Sequence, residues 1–174
     1  HHPTGLLGGM YSGNCFLNGD GIPTMCYHEV DLGNSLAISM DDELNQWNKL
    51  KSNPITPDDK ELEAYKSKSI SPRKRGYRSW DPFGWYSSGN YYAIFGGESP
   101  AVAKASKLNG KWHYVGDLFA HQINGISLEE DLSCPDLFRL GGKDVLLCIS
   151  HRIGCRYYVG EWKNEQYHPE NHAQ

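Results

Sequence analysis

The feature that most limits what this chain can fold into is a unit of about 40 residues that occurs three times. Each unit contains short segments rich in Tyr, Val, Ile, Phe and Trp, separated by turn residues. The turns include Asn18-Gly19, Gly89-Asn90 and Gly141-Gly142, pairs that favour tight hairpins. Four such segments in each unit predict a four-stranded antiparallel sheet. Repetition of that sheet is typical of the blades of a β-propeller.

The repeat also predicts the domain organisation. We expect a single, incomplete propeller domain over 1–174, with units at about 8–50, 78–118 and 131–170. Residues 51–77 form the connection between the first two units, and Thr56-Pro57 followed by two acidic residues predicts a short helix from Pro57 to about Lys66. A β-sandwich is the alternative fold, since it also has short strands and frequent turns. The recurring order of strand, turn and late aromatic residue favours the all-β propeller.

Composition excludes several classes of function. The chain has 17 Lys and Arg against 21 Asp and Glu, a net charge of -4, so we expect no nucleic-acid partner. No apolar run approaches the roughly 20 residues that span a bilayer, so we expect no membrane partner. The start, His1 to Gly5, lacks the charged and apolar regions of a secretion signal. The aromatic content of 12% suits both pleated sheets and the stacking of sugars.

The cysteines and histidines do not form a pattern that binds metal. None of the five cysteines makes a Cys-x-x-Cys pair, and His28, His113, His121 and His151 are scattered. We therefore expect neither a metal nor another cofactor. We interpret the cysteines as reduced and buried, which favours a cytoplasmic location. A Cys148–Cys155 bridge across a hairpin is an alternative that the sequence leaves open.

The starts of the units are the candidate functional positions. The first strand of each propeller blade lines the central axis, so side chains near its start converge from different blades. Here these positions carry Ser12-Gly13-Asn14, Asp81-Pro82 and Ser133-Cys134. An unpaired carboxylate is costly to desolvate there, so Asp81 is a candidate for function. The alternative is an aspartate that serves only a turn.

Three ordered motifs resemble signatures of glycoside hydrolase family 32, which contains invertases, inulinases and levanases. They are Tyr11-Ser12-Gly13-Asn14, Trp80-Asp81-Pro82, and the run from Ser133 to Phe138. The family's own signatures read Ser-Gly-Ser, Arg-Asp-Pro and Glu-Cys-Pro-Asp. The resemblance extends through Arg156 to Gly160 and implies a five-bladed propeller whose funnel holds a terminal fructosyl unit. It also implies double displacement by an aspartate nucleophile and a glutamate acid/base, assisted by a second aspartate.

The resemblance implies a role for several residues. Asp81 matches the aspartate that stabilises the transition state, and Ser12 and Asn14 match positions of the substrate pocket. Tyr11 is a candidate wall of that pocket, and Trp80 could stack on a sugar face. The family's arginine is missing directly before Asp81; Arg78 is nearby but displaced, and is a candidate for the same site.

The chain departs from the family at both catalytic groups. The Asn-Asp-Pro-Asn-Gly nucleophile motif is absent, and Ser133 occupies the position of the acid/base, where a hydroxyl cannot protonate a glycosidic oxygen at ordinary pH. Asp131 shares a strand face with Ser133 and is the preferred substitute; Glu130 is next, since a bulge would reverse the alternation. That these acids belong to a solvated loop is the remaining alternative.

These observations predict a family 32-like protein that acts on or recognises fructose-containing sugars and is inactive as this isolated chain. One alternative is a non-catalytic carbohydrate-binding or assembly module that kept the scaffold. Another is a related five-bladed glycosidase that acts on arabinose or galactose sugars. The expected partner is an oligosaccharide, and open blade edges would allow a homo-oligomer.

Overall fold

The protein is an all-β chain of twelve strands, seen in a computed structural model that describes residues 9–30, 32–57, 60–61, 80–127 and 130–174. The first sheet contains β1 (Met10–Leu17), β2 (Pro23–Glu29), β3 (Gly33–Ser39) and β4 (Trp47–Lys49). The second contains β5 (Trp80–Ser87), β6 (Asn90–Gly96), β7 (Ala101–Ala105) and β8 (His113–Asp117). The third contains β9 (Ser133–Leu140), β10 (Lys143–Ser150), β11 (Gly154–Lys163) and β12 (Gln166–Ala173).

Within each sheet the strands follow one another in chain order, and all neighbouring pairs are antiparallel. This is the four-stranded up-and-down arrangement of a propeller blade. The prediction of an all-β fold made of three such sheets is confirmed. The fourth strand of the third unit, β12, contains Tyr167 and is eight residues long.

The predicted helix from Pro57 to Lys66 lies mostly outside the described residues. Residues 60 and 61 are helical. Thr56, predicted as the cap of that helix, accepts a hydrogen bond at its hydroxyl from the backbone N–H of Asn34 (2.9 Å). It therefore ties the connection after β4 to the start of β3. No helix among the described segments is long and apolar enough to cross a membrane.

The second sheet lies between the other two and is buried on both faces. Alternate residues of β6 enter different cores, as expected for a strand whose side chains alternate. Ala93 and Phe95 pack against Cys26 and Leu36 of the first sheet in one core. Tyr92 and Ile94 belong to the other core, which contains residues of the third sheet (Leu146, Cys148, Tyr158 and Tyr167).

The outer face of the third sheet carries apolar side chains that remain exposed. Leu147 pairs in register with Tyr157, and Ile149 pairs with Cys155. The exposed fractions of Leu147, Ile149 and Tyr157 are 37%, 46% and 43%. We define these three residues, together with Phe138, as the open face.

The cysteines are all free, as interpreted from the sequence, but three of them are not buried. Cys26 and Cys148 are buried, whereas Cys15, Cys134 and Cys155 are exposed. The alternative Cys148–Cys155 bridge is not formed. The prediction of burial was wrong for the three because it took every apolar segment as two-sided core. Only the second sheet has a neighbouring sheet on each face.

Candidate functional site

Each sheet begins with a bulge in its first strand. Tyr11 and Ser12 of β1 lie opposite the single residue between Glu29 and Tyr27, where the register shifts. Asp81 and Pro82 of β5 occupy the corresponding shift in the second sheet. Cys134 and Pro135 of β9 occupy it in the third. A bulge bends its strand and redirects one side chain, so the three bulges place equivalent residues at one end of the molecule.

The bulge residues of the three sheets meet. The backbone N–H of Cys134 donates a hydrogen bond to Asp81 Oδ2 (3.2 Å). The Cys134 thiol lies 3.6 Å from the same oxygen and 3.5 Å from Ser12 Oγ. Residues that are 53 and 122 positions apart along the chain therefore form one cluster. We call Ser12, Asp81 and Cys134 the convergence cluster.

Two members of the convergence cluster have unusual backbone conformations. Asp81 has φ of 29° and Cys134 has φ of 46°. Positive φ is strained for residues other than glycine and costs of order 1–3 kcal/mol per residue. Such strain is concentrated at functional sites, because the surrounding structure must hold it in place.

The Cys134 thiol acts as a hydrogen-bond donor. Partial burial raises its pKa; the negative charge of Asp81 adds to this rise, while a hydrogen bond with Ser12 opposes it. The protonated thiol therefore persists through neutral pH. Cys134 thus lines the site as a neutral group beside a carboxylate.

Asn14 has a different position from the convergence cluster. Its side-chain amide donates to the carbonyl of Gly84 (2.9 Å), and its amide oxygen accepts from the N–H of Gly84 (2.7 Å). Both ends of the side chain are therefore engaged by β5. Tyr11, the predicted wall, lies at the bulge of β1 and is 59% exposed. Arg78 lies outside the described residues.

Asp131 holds two neighbouring groups beside the convergence cluster. The Ser133 hydroxyl donates to Asp131 Oδ2 (3.1 Å), and His151 Nδ1 lies 2.6 Å from the same oxygen. The backbone N–H of His151 donates to Asp131 Oδ1 (2.9 Å). Asp131 precedes β9, which begins at Ser133, so a hydrogen bond brings the two side chains together and not the alternation of a strand. The Ser133 hydroxyl and the His151 N–H both donate to Asp131.

Glu130 turns to a different partner, the hydroxyl of Ser150 at the end of β10. It also lines a pocket beneath the connection between the second and third sheets, together with Phe119 and Tyr158. Asp131 also lines this pocket, so both acids border it. They differ in their hydrogen-bond partners, which are Ser133 and His151 for Asp131 and Ser150 for Glu130.

His151 lies beside Trp80, the residue that precedes Asp81. The two rings are edge to face, with centroids 6.2 Å apart. A hydrogen bond to Asp131 raises the pKa of His151, and the charges of Asp131 and Asp81 raise it further. The imidazole side chain is 71% exposed.

Sequence reasoning missed the contacts of two residues of this region. Cys134 stands at a predicted unit start, but its interpretation as a buried cysteine gives it no part in the site, although Asp81-Pro82 and Cys134-Pro135 share a proline that aligns them. The histidines are scattered along the sequence, and nothing local indicates that the turn after β10, which carries His151, returns to the start of β9. In the described part of the chain, no group of three or more His, Cys, Asp or Glu side chains could hold a metal ion.

Similar solved structures define the fold as that of the propeller-type glycosidases. An endo-arabinase from Bacteroides thetaiotaomicron matches with a TM-score of 0.62 at 12% identity, over 93% of this chain and 54% of its own. A Cellvibrio cellulosa α-L-arabinanase matches with a TM-score of 0.60 at 13% identity, over 98% and 60%. A family 32 β-fructofuranosidase from Bombyx mori, solved in complex with sucrose, matches with a TM-score of 0.61 at 19% identity, over 92% and 36%.

The family is given by a sequence match. The family model of the glycosyl hydrolases family 32 N-terminal domain matches residues 7–174. The chain therefore belongs to glycosyl hydrolase family 32. It spans between 36% and 60% of the length of the three solved structures above. No curated protein matches the sequence significantly.

Proposed function

We propose that this chain is the part of a family 32 β-fructosidase that recognises a fructose-containing sugar, with Asp81 as the carboxylate that binds the sugar. The supporting observation is the convergence cluster, in which Ser12 and Cys134 come from the sheets on either side of Asp81. A carboxylate can accept hydrogen bonds from sugar hydroxyls, and charged hydrogen bonds are stronger than neutral ones.

Aromatic residues complete the proposed pocket. Trp80 lies next to Asp81 and offers a flat face for a sugar ring, and the exposed Tyr11 forms a wall on the side of the first sheet. Ser133 is a further candidate from the motif; it is buried, and its hydroxyl donates to Asp131. Arg78 and Asn14 remain candidates because of their places in the motifs. Asn14 would act indirectly, since its side chain holds β1 against β5.

Hydrolysis requires two further groups. We propose that Asp131, or else Glu130, contributes to the function of the missing glutamate, while no residue of the chain matches the nucleophile motif. We therefore expect no hydrolysis by the 174-residue chain alone, because retaining chemistry needs a carboxylate on each side of the scissile bond.

The test is a titration of the purified chain with sucrose and inulin, followed by Trp fluorescence, with an assay for released fructose. We expect saturable binding and no release of fructose. Asp81→Asn should weaken binding about ten-fold to a hundred-fold, because a charged acceptor is lost. Asn keeps an acceptor for the N–H of Cys134, so the fold should persist.

Asp136→Asn is the matched control, since Asp136 is exposed on β9 outside the convergence cluster. It should leave binding unchanged. Fructose release that Asp81→Asn abolishes would overturn the expected inactivity. Absence of binding by the unaltered chain would contradict the proposed function.

The second candidate function is a non-catalytic carbohydrate-binding or assembly module. Ser133 favours this candidate, because a serine stands at the position of the family's acid/base glutamate. Its hydroxyl donates to Asp131. Binding without turnover in a full-length protein that contains a nucleophile would favour this candidate. A glycosidase directed at arabinose or galactose is a weaker candidate, because the family model that matches is that of family 32.

An oligosaccharide is the proposed partner, with no role for nucleic acid or membrane. We also propose that the chain can associate with a second copy, because its outer sheets leave apolar surface uncovered. The open face of the third sheet is the surface best suited to this.

A further inference from the structure

The family resemblance implies a glutamate acid/base that donates a proton, and in this chain Ser133 occupies its position. Asp131 accepts hydrogen bonds from the Ser133 hydroxyl and from the backbone N–H of His151, and His151 Nδ1 lies 2.6 Å from its Oδ2. These contacts let the carboxylate position a neighbouring donor. The donor it positions most closely is His151, through both its backbone N–H and Nδ1.

The surroundings of His151 fix its ring and leave its other nitrogen available. Nδ1 faces Asp131 at 2.6 Å, so Nε2 points away from that carboxylate. Among the described residues, Nε2 has no hydrogen-bond partner. The turn that carries His151 is stabilised by the Ser150 hydroxyl, which accepts from the N–H groups of Arg152 (3.3 Å) and Ile153 (3.4 Å).

The position of His151 relates it to Asp81. Asp131 stands three residues before Cys134, whose backbone N–H donates to Asp81. Trp80 precedes Asp81 in the chain, and its ring packs edge to face with the imidazole of His151. His151 of the third sheet therefore lies near Asp81 of the second, close enough for the charge of Asp81 to act on its imidazole.

We propose that His151, positioned by Asp131, donates a hydrogen bond from Nε2 to an oxygen of the sugar that Asp81 holds. The proposal rests on the proposed function, since it names a second group of the same site. Sugar binding then depends on the protonation of His151, because the imidazolium is the stronger donor and its Nδ1 hydrogen stays with Asp131.

The charged groups around His151 set the direction of the pH dependence. Asp131 and Asp81 both carry negative charge toward it, Glu130 is bound to Ser150 next to it, and Arg152 follows it in the turn. The carboxylates raise the pKa of His151 above its ordinary value of 6.5. The contribution of the imidazolium to sugar binding is therefore full below that ordinary value and is lost as the pH rises through the raised pKa.

The experiment measures sucrose binding by Trp fluorescence between about pH 5.5 and about pH 8.5, together with NMR titration of the histidine rings. We expect binding to weaken about ten-fold across the pKa that NMR assigns to His151. His151→Gln should bind weakly at every pH and remove the dependence. Asp131→Asn should lower the pKa of His151 and shift the midpoint of binding with it.

His113→Gln is the matched control, since His113 is also exposed and also faces a carboxylate, Glu61, at 3.1 Å on a different part of the surface. It should leave sucrose binding and its pH dependence unchanged. Binding that is independent of pH, or unaffected by His151→Gln, overturns this proposal and leaves the sugar site at Asp81 standing. An unchanged pKa of His151 in Asp131→Asn overturns the positioning by Asp131. Absence of sucrose binding at any pH by the unaltered chain overturns the proposed function and this proposal together.

Discussion

Individual polar side chains at the starts of the inner strands have two kinds of task. Asp81 and Ser12 meet at the convergence cluster, where their oxygens surround the Cys134 thiol. Asn14, only two residues after Ser12, instead joins two sheets through paired hydrogen bonds with Gly84. These hydrogen bonds satisfy two backbone groups of β5, so Asn14 has a structural task that does not require a ligand.

Replacing Asn14 with Ala should lower the free energy of unfolding by about 1–3 kcal/mol, because the N–H and C=O of Gly84 lose their partners. Urea denaturation measures the change. Asn90→Ala is the control, since the side chain of Asn90 makes one local hydrogen bond to Ser88 in a hairpin turn. It should change stability by less than about 0.5 kcal/mol. An equal loss in the two variants would argue against a bridge between the sheets.

At the scale of the strand, the bulge is the element that builds the site. In β1 the bulge ends at Gly13, where the backbone of β2 approaches so closely that no side chain fits. A Cβ at Gly13 would lie 1.9 Å from the carbonyl oxygen of Cys26 and 2.7 Å from Cα of Tyr27. Both neighbours are backbone atoms of the paired strand, which cannot move aside independently. The glycine therefore maintains the bulge that presents Ser12.

Gly13→Ala should lower the free energy of unfolding by about 3 kcal/mol or more, since the clash forces β1 away from β2. Gly116→Ala in β8 is the same substitution where a Cβ meets nothing within 4 Å. It should change stability by less than about 1 kcal/mol. Thermal denaturation of the two variants makes the comparison. A Gly13 variant as stable as the Gly116 variant would contradict the close approach.

At the scale of the molecule, the second sheet is the most deeply buried, and both outer sheets expose apolar side chains. The second sheet has a core on each face, and its Ile94 and Phe95 are fully buried. The third sheet has one covered face and the open face defined by Phe138, Leu147, Ile149 and Tyr157. Contiguous exposed apolar residues of this kind mark surfaces of association.

We expect the chain to self-associate reversibly, with sedimentation velocity showing a rise in average mass with concentration. The double substitution Leu147→Lys and Tyr157→Lys should suppress the association, because it places two charges on paired positions of the open face. Leu17→Lys is the control, since Leu17 is 63% exposed at the end of β1, away from the third sheet. A monomer at all concentrations would contradict the proposed association.

The sequence by itself was sufficient to predict the strands and their grouping into three sheets. It was also sufficient to select the unit starts as candidate functional positions. Those features depend on alternation and turn residues, which act between neighbours a few positions apart. The proline shared by Asp81-Pro82 and Cys134-Pro135 also marks equivalent bulges. Local pattern alone favours a turn aspartate at Asp81, and the equivalence of the three unit starts makes it a candidate for function.

Only the tertiary structure decided which groups meet and which faces stay open. The contacts of Cys134 with Ser12 and Asp81, and of His151 with Asp131, depend on the positions of bulges and turns in different sheets. The exposure of Cys15, Cys134 and Cys155 depends on which sheet face has a neighbour. Local sequence carries little information on such matters, because a shift of one residue in register moves every side chain to the other face.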